Sequence, residues 1–180
     1  MLTTLKSIAH TRLFFIILLL VCVSASLCCA TNLLNTPLPK VIRTTLDQQY
    51  PGWKFADLSK EIHEYLANEK IKFDPNLISG DFDGDGSKDY AIQIMHEKKR
   101  IIIAFLKKDN SFTEFILETN PGYETDLYLW LFKKGEQDHD YGMGEDFFYV
   151  NDSIGVLFFE KSGVSYVFEK GRFRKIWSSD

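Results

Sequence analysis

The chain opens on an unbroken apolar run, Leu13 to Val23, with Lys6 and Arg12 before it. Small residues follow: Ser24, Ala25, Ser26, then Cys28, Cys29 and Ala30. A basic start, a short apolar stretch and a small-residue end predict a secretory signal peptide over residues 1–30. The run is shorter than the roughly 20 residues a transmembrane helix needs, and no later stretch is apolar enough to span. Cleavage after Ala30 or after Ala25 satisfies the pattern. A third reading acylates Cys28 or Cys29 as the first residue of a lipoprotein, although the residues before each fit that signal poorly. On any of these readings the chain is exported, to a periplasmic or extracellular location.

Thr31 to Pro39 has two prolines and no period, and reads as a tether. The period then becomes helical. Val41, Ile42, Leu46 and Tyr50 predict a helix over Lys40–Tyr50, stopped by Pro51-Gly52. Trp53 to Leu58 is ambiguous and best read as extended. Ile62, Tyr65, Leu66 and Glu69 share one face of a second predicted helix, Ser59–Lys70.

From Asn76 onward the pattern is that of strands. Tyr90–Met95, Arg100–Leu106 and Ser111–Leu117 are apolar runs separated by polar turns, as in an antiparallel meander. Asp126–Phe132, Phe147–Val150, Gly155–Glu160, Val164–Glu169 and Arg172–Trp177 continue it. Lys133 to Glu145 reads as a polar loop. No repeat recurs at a fixed period, which argues against a full propeller. The expected fold is α+β: one domain over residues 40–180, with N-terminal helices packed on a mainly antiparallel sheet of about seven strands.

Composition sharpens this picture. Fifteen Phe, eight Tyr and three Trp suit half-buried pleated surfaces. All three cysteines, Cys22, Cys28 and Cys29, lie in the expected signal, so the folded domain is expected to use no disulfide. Without Lys6 and Arg12, 19 basic residues face 25 acidic ones, a net charge of −6. That balance argues against nucleic acid as a partner.

The chemistry concentrates in Gly80-Asp81-Phe82-Asp83-Gly84-Asp85-Gly86-Ser87-Lys88-Asp89-Tyr90. Calcium takes six to eight oxygens from carboxylates, carbonyls and water. A loop curling around one point can aim Asp81, Asp83 and Asp85 inward, add the Ser87 carbonyl, and close with Asp89. Gly84 and Gly86 allow the positive φ that such a curl needs. An EF-hand would require a bidentate Glu at the twelfth position, and here that position is Ile92. The segment after the loop also reads as strand, not helix. The bland alternative is an Asp-Gly turn that holds no ion.

This DxDxDGxxD segment resembles the calcium loop of FG-GAP or VCBS-type repeats, known from integrin α-chain propellers and many secreted bacterial proteins. The chain looks most similar to small bacterial proteins with a single such loop after a helix and a Pro-Gly-Trp segment, here Pro51-Gly52-Trp53. They also end in an aromatic strand and a short polar tail, here Trp177 to Asp180. The match is specific over only some eleven residues, and the Ser59–Lys70 insertion departs from the shortest versions. The resemblance implies one bound Ca2+, with Asp81, Asp83, Asp85, Ser87 and Asp89 as its ligands. It leaves the cellular role open.

Weaker signals divide between function and packing. His139 between Asp138 and Asp140, with Glu145 and Asp146 nearby, could hold a transition metal or act as a base, but reads more simply as a solvated loop. His63 and His96 lack the second His of a zinc-protease motif and are expected to be exposed. No nucleophile elbow or phosphate-cradling glycine loop is present. The aromatic series from Tyr123 to Trp177 suggests core packing before a carbohydrate platform. Lys98-Lys99-Arg100 and Lys107-Lys108 read as solvated basic turns. The function expected is an exported, non-enzymatic domain with one structural calcium ion and a protein or glycan partner. Two alternatives stand behind it: a hydrolase working through residues 138–146, and a periplasmic inhibitor or accessory subunit.

Overall fold

A computed structural model describes residues 38–121 and 126–178. The expected signal peptide, its cleavage sites and Thr31 to Pro37 of the tether lie outside the described residues. The tether's end does not stay free of the fold, because Leu38 is buried in the core.

Helix α1, Lys40–Gln49, buries Ile42 and Leu46 completely and leaves Val41 exposed. Its buried stripe is therefore one turn wide. The Tyr50 N–H closes onto the Leu46 carbonyl, and Gly52 at φ +77° reverses the chain. A two-residue strand β1, Lys54–Phe55, follows, in the segment whose pattern was ambiguous. Helix α2, Lys60–Asn68, starts at Ser59, whose hydroxyl oxygen accepts the Ile62 N–H at 3.3 Å. Ile62 and Leu66 are buried and Tyr65 half-buried, but Glu69 points to solvent.

The strands form two antiparallel sheets where one meander was expected. The first contains β1, β2 (Leu77–Gly80), β3 (Asp89–His96), β4 (Lys99–Lys108) and β5 (Ser111–Pro121). Its central strand β3 pairs with β4 on one side; β1 and β2 share the other side, at opposite ends. The second sheet contains β6 (Leu127–Phe132), β7 (Gln137–Asp140), β8 (Glu145–Phe148), β9 (Ser153–Phe158), β10 (Gly163–Glu169) and β11 (Arg172–Ser178). Its order is β6-β9-β10-β11-β7-β8.

Burial explains the division. β3 and β4 are each buried over seven consecutive residues, so both faces need a cover. On one face Ile92, Ile94, Ile101 and Ile103 pack against Ile42 and Leu46 of α1. On the other, Ala91, Ile102 and Ala104 pack against Leu127, Leu129, Ile154 and Val156 of the second sheet. The architecture is thus α1, first sheet, second sheet, with α2 against part of the second sheet's outer face and the inner core between the sheets. A register shift at Ile102/Ile103 places a bulge in β5.

Three further expectations are corrected by the structure. Lys133 to Glu145 is not all loop, because β7 lies inside it and pairs with β8. Its sequence, Gln-Asp-His-Asp, carries no apolar period, and the strand sits next to the sheet's outermost member. Arg100 is not on a solvated turn. It is buried, and its guanidinium donates to Gln93 Oε1 (2.7 Å) and to the carbonyls of Leu127 (3.2 Å) and Asp57 (2.9 Å). Those bonds tie both sheets to the chain before α2. His96 is also less open than expected, since the ring of Tyr50 packs edge-on against it.

Candidate metal centre

The aspartate loop joins β2 to β3, so its two ends are hydrogen-bonded neighbours: Gly80 pairs with Asp89. The loop must therefore return within nine residues, and Gly84 (φ +81°) and Gly86 (φ +83°) supply the left-handed positions for that, as the sequence predicts. Phe82 anchors it, being fully buried in the inter-sheet core.

The carboxylates then divide into two kinds. Asp89 has no solvent exposure, and its oxygens accept the N–H groups of Phe82 (2.8 Å) and Lys107 (2.7 Å). Asp81 accepts from Gly84 (2.9 Å) and Gly86 (3.1 Å), winding the loop around its own first side chain. Asp83 accepts from Asp85 N–H (3.2 Å), and Asp85 from Ser87 N–H (2.6 Å). One carboxylate oxygen from each of Asp81, Asp83 and Asp89 lies within 4.8 Å of the others. Asp85 is exposed and stays outside that triad. Ser87 enters the loop through its N–H.

Charge and burial make this arrangement costly on its own. Burial pushes the Asp89 carboxyl up to about 6, and the Asp83 and Asp85 charges add to that, against the pull of its two amide bonds. Asp83 is likewise held above the usual carboxylate range by burial, Asp85 and Asp81, against two backbone N–H bonds. Calcium–oxygen distances of 2.3–2.6 Å allow ligands up to about 5 Å apart across one ion, so the triad's spacing fits. The donor set also fits, being all hard oxygen. Among the described residues this is the group of His, Cys, Asp and Glu whose ligand atoms converge on one point.

A second turn completes the surroundings, and the sequence reading gave it no role. Asn151 and Asp152, between β8 and β9, lie against the loop. A Cβ placed on Gly84 would meet Asn151 Oδ1 at 2.5 Å, and one on Gly80 would meet Asp152 Oδ2 at 2.8 Å. Asp152 Oδ2 accepts the Asp81 N–H (3.3 Å) and sits 3.1 Å from Lys133 Nζ; Oδ1 accepts the Lys134 N–H. Burial alone would raise Asp152, but those bonds outweigh it and hold it below the usual range.

The His139 region is ordered and separate. His139 Nδ1 lies 2.7 Å from Asp146 Oδ1 across the β7–β8 pair, and Tyr141 packs edge-on against the ring. Asp138 Oδ2 accepts the buried Tyr149 hydroxyl at 2.5 Å. Burial and that carboxylate push the Tyr149 phenol well above its usual value. No hydroxyl or thiol among the described residues is bonded to the His139 ring. Of the aromatic series, Tyr128, Tyr149 and Tyr166 are core residues as expected, whereas Phe148 and Trp177 are exposed, and Tyr123 lies outside the described residues. No family model, curated protein or solved structure matches this chain.

Proposed function

We propose that this is an exported, non-enzymatic domain whose 81–89 loop holds one structural calcium ion. The carrying observation is the convergence of Asp81, Asp83 and Asp89 within 4.8 Å on a loop that closes between paired strands. A bound cation would supply the positive charge that three crowded carboxylates lack. Asp81, Asp83 and Asp89 are its first ligands on this reading; Asp85 and the Ser87 carbonyl are the further ones the resemblance implies. No helix pair flanks the loop, which favours a structural ion over a regulatory one. The hydrolase alternative has less support, because His139 has a carboxylate partner but no nucleophile bonded to it.

A thermal melt tests the reading. With EDTA, then with calcium from micromolar to millimolar, the melting temperature should rise over the concentrations at which extracellular calcium modules bind, about 10⁻⁴–10⁻³ M. Replacing Asp83 and Asp85 together by Ala should abolish the rise. An unchanged melting temperature across the titration, with magnesium equally silent, would leave the loop a plain turn.

A further inference from the structure

The outer face of the second sheet is covered in two places. Near β6, α2 packs Ile62 and Leu66 over Tyr128. Farther along, Tyr149 packs over Phe132, Val167 and Ile176. Between these covers lies an open cleft of about 450 Å³, a volume usual for ligand sites.

Glycines let two of its lining side chains, Phe132 and Leu157, lie close against the sheet. Gly155 stands opposite Trp130, and Gly163 opposite Leu157, on the face that Tyr128 and Trp130 share. A Cβ on Gly155 would strike Phe132 Cε2 at 2.8 Å, and one on Gly163 would strike Leu157 Cδ2 at 2.3 Å. The walls are Tyr65, Trp130, Phe132, Leu157 and Phe159. Two rings are held by other rings: Phe73 packs edge-on against Trp130 at 5.1 Å, and Tyr65 against Phe159 at 5.5 Å. The walls are therefore set before any ligand arrives.

The one ionised group in the lining is Glu160. It is exposed, its side chain makes no hydrogen bond or ion pair with the described residues, and it stands at φ +55°, where glycine would be the easier residue. A second, polar depression of about 300 Å³ shares Phe159 and Glu160 with the first and adds Glu61 and Asp126. Its single cation, Lys161, lies 3.9 Å from Asp126. An aromatic chamber thus opens directly onto a carboxylate-rich one.

From this juxtaposition we propose that the cleft docks an extended peptide segment of a partner protein carrying a large apolar side chain beside a basic one. The apolar side chain enters between Trp130, Phe132 and Leu157. The basic group sits at Glu160, where the carboxylates of Glu160, Glu61 and Asp126 favour a cation. Acidic peptides are repelled by the same rim. The site lies apart from the aspartate loop and needs no metal.

The test follows the Trp130 indole N–H by ¹⁵N–¹H NMR on the purified protein, assigned with Trp53→Phe and Trp177→Phe variants. The probes are the tetrapeptides Gly-Phe-Arg-Gly and Gly-Phe-Glu-Gly, and maltotriose. The Arg peptide should shift the Trp130 resonance saturably and bind about three- to tenfold more tightly than the Glu peptide. Glu160→Gln should erase most of that preference and Glu160→Lys should reverse it, with the melting temperature unchanged because the exposed side chain makes no hydrogen bond or ion pair with the described residues. The peptide comparison on the unaltered protein stands whether or not the variants fold. No shift at Trp130, equal binding of both peptides, or a shift with maltotriose alone would overturn the proposal.

Discussion

Asp83 and Asp89 belong to one triad yet do different work, and the difference is measurable. Asp89 is buried and holds two backbone N–H groups, one of them from Lys107 on the neighbouring strand. Asp89→Ala would leave both amides unsatisfied in the interior, a loss of about 2–4 kcal/mol with or without calcium. Asp83 is only partly buried, and the Asp85 N–H that it accepts closes a local turn. Asp83→Asn should leave the stability in EDTA within about 0.5 kcal/mol of the parent while removing most of the calcium response. Urea melts of both variants, with and without calcium, separate the roles; a large loss in EDTA from Asp83→Asn would contradict this division. The convergence of Asp81, Asp83 and Asp89 and the two glycine turns were legible from sequence because the loop is local, contained in nine consecutive residues; Asp85, expected to point inward with them, lies outside the triad. Asn151 and Asp152 were not, because they reach the loop through a tertiary contact some seventy residues away. Arg100 was misread for a related reason, since its partners are a Gln on the next strand and carbonyls far along the chain.

At the scale of elements, the sheets are joined by polar clasps as well as by the apolar core. Glu118, on β5, accepts the Tyr166 hydroxyl of β10 at 2.5 Å and the Lys175 ammonium of β11. Burial pushes Glu118 up, but Lys175, Tyr166 and Asn120 outweigh it and hold it below the usual carboxylate value. A carboxyl whose folded pKa is depressed contributes stability that is fully present above its unfolded pKa, near 4.5, and is lost as pH falls through the folded value. Glu118→Gln should therefore cost about 1–2 kcal/mol at pH 7, with the gap to the parent narrowing toward pH 3. Urea melts in EDTA across that range give the difference directly, and a gap that is constant or widens in acid would disprove the clasp. The elements themselves were largely readable. Both helices and most strands follow their apolar period to within a few residues. The exceptions are instructive: β7 has no apolar period, and β2 has only four residues. The division into two sheets was hidden because consecutive strands pair identically in a meander and in a sandwich. Only packing decides where the chain crosses from one layer to the other, here between β5 and β6.

For the whole molecule, the proposed ion site sits at a joint. The loop belongs to the first sheet, yet Asp81 donates its N–H to Asp152, which also accepts the Lys134 N–H and faces the Lys133 ammonium from the second sheet's side. Anything that orders the loop therefore orders that turn, and ion binding to the folded state alone adds stability by mass action, about 2.7 kcal/mol at one hundred times Kd. That energy should be distributed unevenly. The amides of Gly84 and Gly86, bonded to Asp81, should gain hydrogen-exchange protection on calcium addition, and so should Lys134, although it lies on the other sheet's connection. Asp152→Ala should break this transmission. In the variant, calcium would still protect Gly84 and Gly86, while Lys134 would exchange at the same rate with and without the ion. If Lys134 were protected equally in the variant, the coupling would run through the apolar core around Phe82, and Asp152 would be only a cap on its own turn. If no amide were protected in the parent, the joint would have to be held by Phe82, Arg100 and Glu118 alone, and the calcium reading would fall with it.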